Sequence, residues 1–160
     1  IKTIPISDPL YEQEIALRER VLLESVGLDI DSSRAMFPGR EESCEHFVAV
    51  FDHPKGERVV GTATLLAPSD DEPFAKVMQV CVDEQRQGEG IGAKLMIAIE
   101  ARAFGELEHP GLYCHAQIVA MPFYEKLGWD TASDIFLEAG IEHKRMQISA
   151  PKPAETSEKR

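Results

Sequence analysis

Gln85-Arg86-Gln87-Gly88-Glu89-Gly90-Ile91-Gly92 separates an apolar, β-branched run from an amphipathic stretch. The run before it, Val77-Met78-Gln79-Val80-Cys81-Val82, has the composition of a strand, and after it Ile91, Leu95, Ala98 and Ile99 recur at helical spacing. Strand, glycine turn and helix in that order predict an anion-binding turn. Glycines lack a Cβ, so their backbone can approach a ligand closely, and the first N–H groups of a helix have no partner within it. Such a terminus favours phosphate or pyrophosphate. The same glycines would also suit a tight connection with no ligand; the flanking elements favour the ligand site.

Working outward, His46 to Phe51 and Arg58 to Ala67 read as strands around a His53-Pro54-Lys55-Gly56 turn, and Phe74 to Val82 follows a polar loop, Pro68 to Pro73. These three strands predict an antiparallel meander. Before them Lys2 to Ile6 reads as a short strand. Leu10, Ile15, Leu17, Val21, Leu22 and Val26 then form the apolar stripe of a helix ending near Gly27. Arg18 and Arg20 lie off that stripe; they could bind a substrate carboxylate, but a solvated face is the favoured reading. Asp29 to Ser43, with Pro38 and Gly39, reads as a loop holding at most one helical turn. After the glycine turn the helix runs to about Phe104, Leu112 to Ala116 is a short strand, and Val119 to Leu127 a short helix ended by Gly128. Strands near Trp129 to Ala132 and over His143 to Ile148 flank a turn at Phe136 to Gly140, with Trp129 in the core.

The 160 residues suffice for one domain, expected over 1–150, with a polar, flexible tail at 151–160. A formal charge of -11 would repel phosphate backbones, which argues against nucleic-acid binding and is weakly compatible with a cationic substrate. No apolar stretch is long enough for a membrane-spanning helix, so a cytoplasmic protein is expected. Cys44, Cys81 and Cys114 form no CxxC pair and read as buried thiols of a reducing compartment. Cys44/His46 and Cys114/His115 lack four-ligand zinc spacing, so no metal is expected.

Gly88-x-Gly90-x-x-Ala93 also fits the dinucleotide fingerprint, but that motif ends the first strand of a parallel unit. Here three antiparallel strands and five polar residues, Asp83 to Gln87, come first; a Gly-Lys-Ser/Thr phosphate loop is missing altogether. In element order, residues 1 to 149 resemble the GNAT N-acetyltransferases. The acyl-CoA signature of that family, Gln/Arg-x-x-Gly-x-Gly/Ala, is matched by Gln85-x-x-Gly88-x-Gly90. Its second motif is matched by Ala116 to Trp129, with Phe123-Tyr124 and Gly128-Trp129. Within the family the chain is most similar to small bacterial members of the ElaA and YjcF type, through Glu45-His46, Ala116-Gln117, and Ala139-Gly140-Ile141 with His143.

The resemblance implies an α/β (α+β) fold: a mixed, mostly antiparallel central sheet, about four flanking helices, and splayed fourth and fifth strands. It implies acetyl-CoA as acyl donor and an amine as acceptor, and leaves a homodimer open. The pyrophosphate of CoA would sit on Gln87, Gly88, Glu89, Gly90, Ile91, Gly92 and Ala93, and the pantetheine against Val80, Cys81 and Val82, one of whose N–H groups would stabilise the oxyanion. Tyr124 falls where family members place the general acid that protonates the CoA thiolate. Because an alkylammonium has a pKa near 10.4, a base or water chain must free the amine. Close relatives often carry a glutamate on the fourth strand; Met78 and Gln79 stand there in this chain. His46, His115 and His143 are the candidate bases, with Glu45 a further candidate and Asp83 a weaker one. The competing readings are an acyl-CoA-binding module without turnover and a dinucleotide enzyme.

Overall fold

The computed structural model describes residues 1–152. Eight strands, β1 (Lys2–Ile4), β2 (Glu45–His53), β3 (Gly56–Leu66), β4 (Ala75–Val82), β5 (Gly111–Gln117), β6 (Asp130–Thr131), β7 (Phe136–Glu138) and β8 (Ile141–Ser149), form one sheet. Its order is β1-β2-β3-β4-β5-β8-β6, and β7 also pairs with β8. The β2-β3-β4 meander is antiparallel as its alternation predicts; β4 and β5 are parallel and meet only at Ala75 with Leu112 and Lys76 with Tyr113. Beyond those two pairs the strands splay. Of the expected tail, residues 153–160 lie outside the described residues.

Two apolar layers sandwich this sheet. On one face α4 (Ile91–Glu100), prolonged by a π-helical stretch over Ala101–Glu106, buries Leu95, Met96 and Ile99 with Val77, Leu112 and Met146. Removing each such side chain from water contributes roughly 1.5–3 kcal/mol. Gly61 on β3 sits under the first turn of α4: a Cβ there would lie 2.8 Å from Ile91 Cγ2, so glycine sets how closely the helix start approaches the sheet. On the other face α1 (Leu10–Arg18), which continues through Glu19–Leu23 and Glu24–Val26, packs Leu10 and Leu17 with Val48, Val59 and Cys81. A short helix, α5 (Met121–Lys126), closes the open end of the sheet beside β5.

Three expectations need correction. Asp29 to Ser43 is not a loop with one turn but holds two helices, α2 (Ile30–Met36) and α3 (Arg40–Ser43), so that the described residues hold five α-helices. The Asp29 side chain accepts from the Ser32 N–H at 2.8 Å and Ile30 is buried, a capped start that the Pro38-Gly39 break obscures in the sequence. Phe136 to Gly140 is more than a turn: Phe136–Glu138 pairs with β8 through a two-residue turn whose Ala139 and Gly140 have φ of 52° and 75°. Both central residues at positive φ are what a type I′ hairpin requires. Arg18 is not solvated; it is fully buried, with consequences described below.

Candidate active site

The register of β4 against β3 slips by one residue: Thr62 faces Cys81 but Thr64 faces Met78. The extra residue makes a bulge in β4, with Gln79 at φ 54°. Past Lys76 the edge of β4 faces β5 with no ladder, and a cavity of about 560 Å³ opens between them. Val80, Gln79, His115, Tyr124, Glu138 and His143 are among its lining.

At one end of β4 the glycine turn meets the start of α4. Gly88 and Gly90 have φ of 88° and 81°, and Gly90 precedes the first helical residue, leaving the N–H groups of the first turn without helical partners. Gln87, Gly88, Glu89 and Gly90 are exposed, and Ile91, Gly92 and Ala93 half-buried. The turn is anchored by Asp83, whose N–H donates to the Val60 carbonyl and whose side chain accepts from the Gln85 N–H. Gly92 abuts α5: a Cβ there would come within 3.1 Å of the Phe123 ring. Val80 and Val82 are half-buried, while the Cys81 side chain packs into the α1 layer, so only its backbone is available to a ligand. Burial pushes the Cys81 and Cys114 thiols up to about 12, and Cys44 to about 11, which leaves none as a thiolate near neutrality. Placing valine at Gly90 forces a branched residue into the left-handed region at roughly 1–2 kcal/mol. The expected result is about a tenfold or larger rise in the acetyl-CoA Kd by titration calorimetry; an unchanged Kd would remove this turn from cosubstrate binding.

Across the cavity from β4, His115 Nδ1 lies 2.9 Å from Glu138 Oε1, and His143 Nε2 is 3.8 Å from Glu138 Oε2. The His143 Nδ1–H donates to the Ile141 carbonyl at 2.7 Å. Burial lowers the His115 pKa, and the Glu138 hydrogen bond offsets only part of that. Burial works upward on Glu138, but the His115 hydrogen bond and the His115 and Lys76 charges outweigh it, so the carboxyl sits below its ordinary value. A neutral imidazole beside a carboxylate donates through Nδ1 and leaves Nε2 as a free acceptor. Tyr124 is buried against Phe123 and Trp129, at centroid distances of 5.0 and 5.3 Å, and burial together with the Cys114 thiol raises its pKa well above 10. Its hydroxyl therefore keeps its proton at neutral pH. Glu138, Lys76 and Arg40 line the cavity without having been singled out from the sequence. The alternation of β7 is too short to show Glu138.

The structure does not bring His46 to this cavity. Its Nδ1 is 2.7 Å from Glu14 Oε2, its Nε2 is 2.7 Å from the Glu41 carbonyl, and it is 1% exposed. Glu45, the neighbouring candidate, instead pairs with Arg102 on the other side of the sheet. His46 belongs to a buried ionic cluster in which Arg18 donates to Glu14 and, through both terminal nitrogens, to Glu41, each at 2.8 Å. The Tyr11 hydroxyl also donates to Glu41, and Arg18 Nε donates to Gln79 Oε1 at 3.2 Å, tying the cluster to the β4 bulge. Ligand atoms of Glu14, Glu41 and His46 lie within 4.8 Å of one another, but the Arg18 guanidinium already occupies both carboxylates. Arg20, by contrast, is exposed and pairs with Glu84.

The sequence and the fold have counterparts in known proteins. Residues 28–150 match the acetyltransferase (GNAT) domain family. The uncharacterized N-acetyltransferase YjcF of Bacillus subtilis is 34% identical over 107 residues, covering 66% of this chain and 71% of that protein. The crystal structure of Escherichia coli ElaA is similar with a TM-score of 0.73 at 21% identity, over 91% of this chain and 96% of that one. An aminoglycoside 6'-N-acetyltransferase complexed with coenzyme A gives a TM-score of 0.73 at 16% identity, over 95% and 98% of the two chains. The chain belongs to the GNAT acetyltransferases and is an acyl-CoA-dependent N-acetyltransferase.

Proposed function

We propose that the protein moves an acetyl group from acetyl-CoA to a primary amine by direct attack on the thioester. The observation that carries this reading is the gap between β4 and β5, with the protonated Tyr124 hydroxyl and the His115–Glu138 pair both on its lining. Acetyl-CoA is bound along Val80, Cys81 and Val82 and on the turn from Gln87 to Ala93. His115 Nε2 takes the proton that frees the amine, with Glu138 orienting the ring. The nitrogen lone pair forms a bond to the carbonyl carbon, and a backbone N–H of Val80–Val82 stabilises the oxyanion. The C–S bond then breaks, the sulfur leaves with the electron pair and takes the Tyr124 proton, and the surplus proton on the attacking nitrogen restores the Tyr124 hydroxyl as the amide forms. Overall, an ammonium and acetyl-CoA give an amide, the CoA thiol and one proton. Residues 1–150 act as one catalytic unit, and the three free cysteines fit a cytoplasmic location.

Thiol release from acetyl-CoA across a panel of amines tests the reading; cosubstrate binding without release from any amine would leave only a binding module. The base has its own signature. With His115 below its ordinary 6.5, kcat/KM should rise with pH through a value under 6.5. Glu138→Gln removes the charge that favours the imidazolium, so this limb moves to lower pH. His115→Gln abolishes the limb and lowers kcat about 10²-fold. An unaltered limb in His115→Gln would assign the titration to another group.

A further inference from the structure

The chain as a whole is strongly acidic, yet its cavity is not. Lys76 and Arg40 both line it, and among the described residues neither side chain has a carboxylate at ion-pair distance or a hydrogen-bond partner. Arg40 lies over the Phe37 ring at 3.7 Å and Lys76 over Tyr113 at 5.9 Å. Arg18, Arg20, Arg102 and Arg145 pair with carboxylates. Lys76 is half-buried, and burial lowers its pKa. A desolvated cation without a partner is costly unless a ligand supplies the opposite charge.

Phosphates of CoA are not that ligand. At roughly 3.3 Å per residue, Lys76 stands about 20 Å back along β4 from Val82, where the glycine turn begins. That separates Lys76 from the phosphates, and Arg40 lines the same cavity as Lys76. Glu138 supplies one negative charge, but His115 already engages it, and two cations against one carboxylate leave the cavity positive. A second cationic group on the acceptor would add to that excess; a carboxylate would cancel it. The rest of the lining is largely apolar, with Val21, Leu22, Val26, Leu28, Met36 and Phe37 contributed by the continuation of α1, by α2 and by the segments that follow them.

Resting on the acetyltransferase reading above, we propose that the acceptor is an amine that also carries a carboxylate and an apolar substituent, an apolar amino acid in chemical class. Arg40 and Lys76 bind the carboxylate, and the apolar wall takes the substituent. The nitrogen enters as an ammonium, gives its proton to His115 and attacks as written above.

Thiol release is measured with leucine, phenylalanine and 6-aminohexanoate, with leucinamide and phenylalaninamide, which keep the amine and lose the carboxylate, and with spermidine. Rates are compared per free-base amine, because an amide neighbour lowers the amine pKa. A carboxylate-bearing acceptor is expected to exceed its amide, and spermidine, at least tenfold in kcat/KM, mainly through KM. Arg40→Gln and Lys76→Gln should each shrink that discrimination about tenfold, and Lys76→Glu should reverse it. Amides or spermidine turned over as well as the acids, or discrimination unmoved in all three variants, would overturn the assignment. Bound acetyl-CoA with no thiol release from any amine would instead sink the acetyltransferase reading, and this inference with it.

Discussion

Tyr124→Phe is expected to keep its acetyl-CoA affinity and lose about 10²- to 10⁴-fold in kcat at neutral pH. The substitution removes one hydroxyl and leaves the ring among Phe123 and Trp129, so the packing of α5 against β5 is retained. The loss should fall in kcat because protonating the sulfur matters only once the C–S bond is breaking. Wild-type turnover should show no descending limb from Tyr124 below pH 10, since burial and Cys114 keep that hydroxyl protonated. An acetyl donor built on a thiol more acidic than that of CoA separates this role from simple packing. Its leaving group needs less help, so it should restore the variant more than it accelerates the parent. Steady-state kinetics with both donors provides the check, and equal effects on the two proteins would remove Tyr124 from the proton path.

Arg18→Met should destabilise the protein by about 3–5 kcal/mol, because it leaves Glu14 and Glu41 buried without their shared cation. For a chain of this size that corresponds to a fall in Tm on the order of 10 °C. Replacing Glu14 and Glu41 by leucine together with Arg18→Met removes the stranded charges and should recover much of the loss, the opposite of what additive damage predicts. The pH dependence of unfolding gives a second signature. For Glu41, burial acts upward but the Arg18 hydrogen bond and charge prevail and bring it to about 2. Its contribution is therefore present above about 4.5 and lost as pH falls toward 2. For His46, burial acts downward but Glu14 and Glu41 prevail, leaving it above its ordinary 6.5. That contribution is full below 6.5 and fades as pH rises through the raised value. Urea unfolding from acid to mildly alkaline pH measures both limbs, and a flat profile would contradict the ion-pair account. Because Arg18 also donates to Gln79, the single variant loosens the β4 bulge as well.

The meander and the glycine turn were legible because their signals are local: alternating apolar residues, a turn, and then helical spacing after Gly90. The buried ionic cluster was not. Arg18 lies off the apolar stripe of α1 and reads as solvated until α3 brings Glu41 over it and the adjoining turn of α1 supplies Glu14. No pattern in α1 encodes that meeting. The likeness to ElaA-type relatives at Glu45-His46 makes His46 a candidate base, whereas its two partners fix it as a core residue. Glu138 was hidden by Ala139, which takes a positive φ that alanine rarely adopts, so the hairpin lacked its usual Asn-Gly signal. The bulge at Gln79 likewise carries no glycine to announce it.

The two-pair contact between β4 and β5 leaves the sheet in two halves joined near Ala75 and Lys76. In the proposed binding mode a cosubstrate filling the gap beyond them would act as a removable strand, and its binding free energy would add to that of the fold. At a hundredfold excess over Kd this amounts to about 2.7 kcal/mol, a large share of the stability of an ordinary domain. Amide exchange along the open edges of β4 and β5 should slow accordingly when acetyl-CoA is present. In a cell, the lifetime of this protein would then follow the supply of its own acyl donor.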